Sequence, residues 1–298
     1  MSQHVTYHYR RGAAPLTEPQ LRRIVPSAFT DERYGETTSE RFAVIPTAQL
    51  VTALAREGFA PVDAAQTRTR DDERAGYTRH MIAFRMPDSP LMRAWSGEIE
   101  PRLLMLNAHD GASAYQLHFG MFRFWCSNKH VTGDELVKPI RVRHLGGAAV
   151  IDAVIAGSLE LAGALPLLLD ELERWRSTPV PLDAQIAYAE SALMLRYDGD
   201  ERPAPVPAAA LLRPRRTADT PSDVYHVYNR VQECLTRGIN KASAQRAARG
   251  ATGMRGVRGI TQDVKLNKAL WHLTSALERQ LNGRTAPAVN VIEGEIVG

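Results

Sequence analysis

The stretch YQLHFGMFRFWCSNKHVTGDELVKPIRVRHLGG, residues 115–147, decides the fold, because its first half has the side-chain alternation of a β-strand. Tyr115, Leu117 and Phe119 fall on one face of that strand, whereas His118 and further aromatic residues fall on the other. Since both faces carry large side chains, we expect burial between a helix layer and a neighbouring element, or a second face reserved for a ligand or another subunit.

A hairpin is predicted to join this strand to the one before it. Asp110-Gly111 is a typical tight-turn dipeptide because glycine accepts a positive φ angle, and it separates residues 102–108 from residues 113–126. Further strands are predicted where apolar residues alternate or cluster between turn signals, at residues 41–45, 59–70, 77–86 and 140–144.

Apolar residues at helical spacing predict the other elements. The longest helix spans residues 148–176, with a kink expected at Pro166 because proline cannot donate the helical hydrogen bond. Shorter helices are predicted at about residues 47–57, 182–196, 222–235 and 260–281. The sequence therefore predicts an α+β fold, with an antiparallel β-meander packed on a long helix and followed by a helical, basic C-terminal region.

Changes in composition divide the chain into four predicted parts. Three prolines and no sustained period mark the beginning of the chain, and five prolines cluster before Ser222. The predicted parts are an N-terminal arm at 1–40, an α+β core domain at 41–198, a Pro-rich linker at 199–221 and a basic helical region at 222–298.

The overall composition is that of a folded protein of the cytoplasm. Hydrophobic residues make up 44% of the 298 residues and charged residues 23%. No apolar run reaches the roughly 18–20 residues that a bilayer span requires, and the N-terminus lacks the apolar stretch of a secretory signal. The two cysteines, Cys126 and Cys234, lie far apart and indicate no disulfide framework. We expect no contact with a membrane.

Positive charge is concentrated in one part of the chain. Residues 213–258 contain ten Lys or Arg against three acidic residues, a net charge of +7, although the whole chain carries only +4. Residues 237–259 contain six basic residues, five glycines and no acidic residue. Such a segment is typical of phosphate binding, because cations neutralise phosphates and glycine lets the backbone approach closely. A solvated loop is the alternative.

A second set of cations lies in the opening stretch, beside aromatic residues that we expect to be mainly core. A positive surface with neighbouring aromatic rings is typical of proteins that hold single strands. The DNA-binding residues predicted from both sets are Arg123, Lys129, Arg141, Arg143, Arg237, Lys241, Arg246, Arg249, Arg255 and Arg258.

Several short motifs resemble an uncharacterised family of phage- and plasmid-borne proteins that is catalogued as a domain of unknown function. They are the Asp110-Gly111 turn, Arg123 followed by Cys126-Ser127-Asn128, the segment Arg141 to His144, and Tyr228-Asn229. The resemblance covers about residues 40–280 and implies a lineage without an established activity. The predicted order of helix, β-meander and long helix is also similar to the core of the Rad-type single-strand annealing recombinases, a likeness of architecture only.

These observations predict a non-enzymatic DNA-binding protein of phage or plasmid recombination, which binds and anneals single-stranded DNA as a homo-oligomer. A ring is one form that the oligomer could take. No nucleotide-binding or common hydrolase motif occurs, and we expect no cofactor and no metal, since the spacing of Cys126 and His130 lacks a second pair. One alternative is a protein-binding inhibitor. The other is a metal-dependent nuclease, or a related phage defence or anti-defence protein, using carboxylates among Glu98, Glu100, Asp110, Asp134 and Glu135.

Overall fold

The computed structural model describes residues 14–35, 38, 44, 46–86, 99–111, 113–123, 129–131, 140–142, 149–197, 203–284 and 295–296. Side chains are described over the same ranges except for residues 121–123, 129–131, 142, 149 and 295–296.

The described strands form one main sheet and a small two-stranded ribbon. Their bounds are β1 Ala60–Gln66, β2 His80–Arg85, β3 Ile99–Asn107, β4 Tyr115–Arg123, β5 Lys129–Val131, β6 Ile140–Val142, β7 Gly238–Ile239, β8 Met254–Arg255 and β9 Glu295–Ile296. The main sheet has the order β1-β2-β3-β4-β6-β9, with β5 also paired to β4, and β7 and β8 form the ribbon. All of these pairs are antiparallel except that of β6 and β9.

Helices precede, cover and follow the sheet. Their bounds are α1 Glu18–Ile24, α2 Thr47–Arg56, α3 Ala149–Gly163, α4 Leu165–Ser177, α5 Leu182–Met194, α6 Val224–Arg237, α7 Lys241–Ala247 and α8 Ile260–Leu281. This arrangement confirms the predicted α+β class, in which an antiparallel meander is followed by a helical C-terminal region. The predicted strand at 41–45 lies almost wholly outside the described residues.

The predicted hairpin is the centre of the meander. Strands β3 and β4 pair without a break from Ile99 opposite Arg123 to Leu106 opposite Gln116. Gly111 in the intervening turn has a φ of 75°, the left-handed conformation that glycine adopts without steric cost. The turn dipeptide therefore sets the register of the two longest strands.

Both faces of the sheet are buried by helices of the same chain. Leu103, Met105 and the apolar face of β4 belong to the main core, which also includes residues of α2 and α3. Leu104 and Leu106 point to the opposite face and pack in a second cluster with the first turns of α8. Helix α8 therefore covers the second face where it is described. Of the two expectations for that face, burial by a neighbouring element is confirmed for the side chains that the structure describes, and the side chains of Phe122 and Phe124 lie outside them.

The predicted long helix over 148–176 is two helices. Helix α3 ends at Gly163, and α4 begins at Leu165 with Pro166 in its first turn. Proline lacks a backbone N–H, and the first turn of a helix is where that N–H has no helical partner. Pro166 therefore starts a new helix instead of kinking one helix.

The helices around residues 165–281 share one core. The Trp175 ring lies 4.5 Å from that of Trp271 on α8 and 5.1 Å from that of Tyr228 on α6, measured between ring centroids. The described part of the predicted linker joins this core, since Val206 and Leu211 are buried within it. The division into four parts remains a prediction.

One segment, Val150–Ser177, is 28 residues long and contains an 18-residue window with a mean hydropathy of 1.6, so by length and composition it could cross a membrane. It spans α3 and α4, which are separated at Ala164. Leu168 and Leu172 are buried in the main core. Helices in the core of a protein pass the same test, so this one segment is weak evidence for a membrane span.

Candidate nucleic-acid interface

Six arginine side chains line one concave site beside the end of α6. The site, called the arginine groove below, has a volume of about 1200 Å³ and is lined by residues from 210–215, 234–246 and 252–258. Its arginines are Arg213, Arg215, Arg237, Arg246, Arg255 and Arg258. All six are exposed, so the groove presents a concentrated positive charge to solvent.

Glycines of the β7–β8 ribbon allow two walls of the groove to meet. Helix α6 ends at Arg237 and is followed by Gly238, which has a φ of 83° and pairs with Arg255 on β8. A Cβ atom at Gly238 would lie 2.2 Å from the carbonyl oxygen of Met254, closer than any real contact of that kind. Only glycine fits this crossing, and the crossing brings the end of α6 to the strand that carries Arg255.

Two arginines brace the ribbon through backbone carbonyls. Arg196, just after α5, donates hydrogen bonds to the carbonyl oxygens of Leu235 at 2.6 Å and Arg255 at 2.9 Å. Arg215 donates from Nη2 to the carbonyl oxygen of Gly238 at 2.5 Å. These bonds connect α6, the ribbon and the segment 210–215. The positions of the groove arginines therefore depend on contacts between segments that are distant in the sequence.

The three acidic residues of the basic segment are bound elsewhere. Glu233 is buried and accepts a hydrogen bond from Arg216 at 2.8 Å, with Arg237 at 3.8 Å. Asp219 is buried and lies 3.8 Å from Arg216. Asp223 caps α6 and pairs with His226 at 2.6 Å. None of the three lines the groove, although Glu233 lies close enough to the groove residue Arg237 to offset part of its charge.

Three groove arginines have no carboxylate partner among residues 203–284, where their surroundings are described. They are Arg213, Arg255 and Arg258, and each is exposed. Arg246 donates to the Ser243 hydroxyl at 3.0 Å, which leaves its charge uncompensated. These guanidinium groups can bind phosphate oxygens with two parallel hydrogen bonds.

The structure separates the predicted DNA-binding residues into three groups. Arg237, Arg246, Arg255 and Arg258 meet in the groove, whereas Lys241 and Arg249 are exposed outside its lining. Arg141 is exposed on β6, away from the groove lining. The side chains of Arg123 and Lys129, and all of Arg143, lie outside the described residues.

Arg141 belongs to a smaller positive region beside the sheet. Burial, followed by the positive charges of Lys268 and Arg141, holds the pKa of His118 well below its usual range. His118 is therefore neutral at physiological pH, and this region contributes its two cations only.

Comparisons with known proteins place the chain in a family. The family model described as "Domain of unknown function (DUF932)" matches residues 36–271, more than half of the chain. The chain belongs to the DUF932 family. Two proteins of Escherichia coli (strain K12), UPF0380 protein YafZ and UPF0380 protein YfjQ, are each 39% identical to it over 267 residues. The aligned part is 90% of this chain and 93% of each relative. No solved structure matches the chain at a significant level.

The whole arginine groove lies inside the segment that matches the DUF932 model. Two of its arginines, Arg213 and Arg215, were not among the predicted DNA-binding residues because they fall in the predicted linker. The signal that could have found them is the Arg-Pro-Arg-Arg run at 213–216, which contributes three of the segment's ten basic residues.

Two of the carboxylates that the nuclease alternative would use are described, and both form ion pairs within the protein. Asp110 lies 2.6 Å from Arg74, and Glu100 lies 2.5 Å from Arg102 and 3.3 Å from Arg85. The residues that the structure describes contain no group of three or more His, Cys, Asp or Glu side chains placed to hold a metal ion. Glu98, Asp134 and Glu135 lie outside those residues.

The thiol of Cys234, which lines the groove, is not activated as a nucleophile. Burial raises the pKa of this thiol to about 11, against a smaller opposing effect of Arg215. Because the thiolate is the nucleophilic form, a thiol that stays protonated at neutral pH is a poor nucleophile. The groove is therefore suited to binding anions and offers no activated cysteine.

Proposed function

We propose that this DUF932 protein is a non-enzymatic, cytoplasmic protein that binds single-stranded DNA in the arginine groove and promotes the pairing of complementary strands. One observation carries the proposal: six exposed arginines from separate chain segments line one site, with no carboxylate among the lining residues that the structure describes. Phosphate neutralisation by such groups supplies most of the free energy of nonspecific binding to nucleic acids, through the release of counterions.

The shape of the groove favours a single strand over a duplex. Its arginines surround a concave site of about 1200 Å³ formed by three segments. A single strand is flexible enough to turn successive phosphates toward cations on different walls. A duplex is stiff, with a persistence length of about 50 nm, so it would meet mainly the rim of the site.

Annealing and assembly are the further parts of the proposal. Arginines that grip phosphates leave base edges free to pair with a second strand. A homo-oligomer, of which a ring is one form, would hold one strand along several grooves and so raise its affinity. The proposed role in phage or plasmid recombination rests on the likeness of the predicted element order to Rad-type annealing recombinases, and the proposal takes up that likeness without a matching solved structure.

Fluorescence anisotropy with labelled oligonucleotides tests the binding. The groove variant Arg255→Gln/Arg258→Gln and the matched control Lys241→Gln/Arg249→Gln each lose two exposed cations of the same segment. We expect the wild type and the control to bind single strands more tightly than duplexes, and the groove variant to bind both weakly. Equal affinity of all three proteins for single strands would refute the proposal.

Two further measurements test annealing and assembly. Energy transfer between labels on two complementary strands reports their annealing, and light scattering gives the mass of the protein in solution. Acceleration by an oligomer of the wild type, reduced in the groove variant, is the expected result. Strand cleavage after addition of Mg²⁺ or Mn²⁺ would instead indicate the nuclease alternative. Absence of DNA binding at low salt would point to the protein-binding inhibitor.

A further inference from the structure

The arginine groove offers no aromatic surface for a nucleic-acid base. Among its described lining residues none has an aromatic ring. The aromatic residues of the neighbouring helices, Trp175, Tyr228 and Trp271, are packed against one another in the core and are fully buried. Proteins that hold single strands by their bases do so by stacking them on exposed aromatic side chains. Tyr197, which is half-buried beside Arg196, is not part of the lining, so the described lining gives bases no stacking partner.

The described lining contains few uncharged polar side chains that could read a base edge or a sugar hydroxyl. Asn240 caps α7, and its Oδ1 accepts the Ser243 backbone N–H at 2.8 Å. The Ser243 hydroxyl accepts a hydrogen bond from Arg246 at 3.0 Å. Thr252 is the remaining uncharged polar side chain of the described lining. Arginine can also bind the edge of guanine, but an arginine that holds phosphate oxygens is not free to do so. Three uncharged polar side chains, two of them partly engaged within the protein, then leave little basis for discrimination between bases or between ribose and deoxyribose.

What remains in the groove is a set of cations. Guanidinium groups match the geometry of phosphate oxygens, and the lining contains no carboxylate that would repel additional negative charge. At about 1200 Å³ the groove also exceeds the roughly 300–1,000 Å³ of pockets for drug-sized ligands, so it has room for several linked phosphates.

On the basis of the proposed function, we propose that the groove recognises the phosphate chain alone and reads neither base nor sugar. Its ligands then include single-stranded RNA and inorganic polyphosphate as well as single-stranded DNA. The order of their affinities follows charge density, since polyphosphate carries its charges without bases or sugars between them. Sequence has little influence on binding.

Direct binding of four labelled probes to the full chain tests this inference. The probes are single-stranded DNA, RNA of the same sequence, inorganic polyphosphate with the same number of phosphates, and a peptide nucleic acid with the same bases on a neutral backbone. We expect DNA and RNA to bind within about twofold of each other, because their phosphate charges are equal. Polyphosphate should bind at least as tightly, and the peptide nucleic acid should not bind.

The two double variants show whether the groove is responsible. Arg255→Gln/Arg258→Gln should weaken binding of the three anionic probes by a similar factor, whereas Lys241→Gln/Arg249→Gln should leave the three close to wild type. Binding of the peptide nucleic acid, or binding of DNA without RNA or polyphosphate, would overturn the inference and leave the proposed function standing. Binding of polyphosphate without DNA would overturn both, because the inference requires every accessible phosphate chain to bind. No binding of any probe would overturn both.

Discussion

Replacing Arg255 and Arg258 by glutamine is expected to reduce the salt dependence of DNA binding by a calculable amount. Each phosphate contact on a single strand contributes about −0.7 to the slope of log affinity against log salt concentration. If each of the six groove arginines neutralises one phosphate, the wild-type slope is about −4.2, and the slope of the double variant is about −2.8. Between about 50 and 200 mM salt, the wild type then loses about 300-fold in affinity and the variant about 50-fold.

Anisotropy titrations of one labelled single strand at several salt concentrations measure both slopes. Lys241→Gln/Arg249→Gln is the matched control, because it removes the same charge from exposed positions of the same segment outside the groove. Its slope should remain near that of the wild type. Equal slopes for the two double variants would show that binding follows net charge, and the assignment of phosphate contacts to the groove would be wrong.

Three further outcomes are expected. Gly238→Ala should lower the free energy of unfolding, measured in urea titrations, by more than Gly250→Ala does. Both glycines have a positive φ, which costs about 1–3 kcal/mol in other residues. Only at position 238 would the added Cβ also collide with the backbone. Arg196→Gln should weaken DNA binding several-fold while a surface control at Arg249 does not, because Arg196 positions the ribbon through two carbonyls. In a Cys126→Ser background, alkylation of Cys234 should be slow at neutral pH and should accelerate toward a pH of about 11, because burial opposes the thiolate; fast alkylation of the folded protein at neutral pH would contradict that pKa.

Local signals in the sequence were sufficient for several elements. The Asp110-Gly111 turn and the alternation after Tyr115 predicted the β3–β4 hairpin, because turn chemistry and a period of two are properties of neighbouring residues. Apolar spacing likewise predicted the helix at Ile260–Leu281. The interpretation of Pro166 was wrong, since a kink and the first turn of a new helix have the same local sequence and differ in how the two helices pack.

Only part of the candidate site could be predicted from local signals in the sequence. The concentration of arginines and glycines in residues 213–258 was visible as composition, and four of the predicted residues do meet in the groove. Spacing could not show that Arg249 points elsewhere while Arg213, from the proline-rich segment, lines the same site. That difference arises from contacts between residues far apart in the chain, such as Arg196 with the carbonyl of Arg255.

By itself the sequence determined the fold class, the central hairpin and the existence of a segment rich in positive charge, because periodicity, turn chemistry and composition are local properties. Only the tertiary structure decided which cations act together and which face of the sheet is closed. Helix α8 covers the second face with residues more than 150 positions away from the strands that it contacts, and a glycine crossing joins two walls of the arginine groove. Such long-range packing depends on the whole core and leaves no periodic pattern in any one segment.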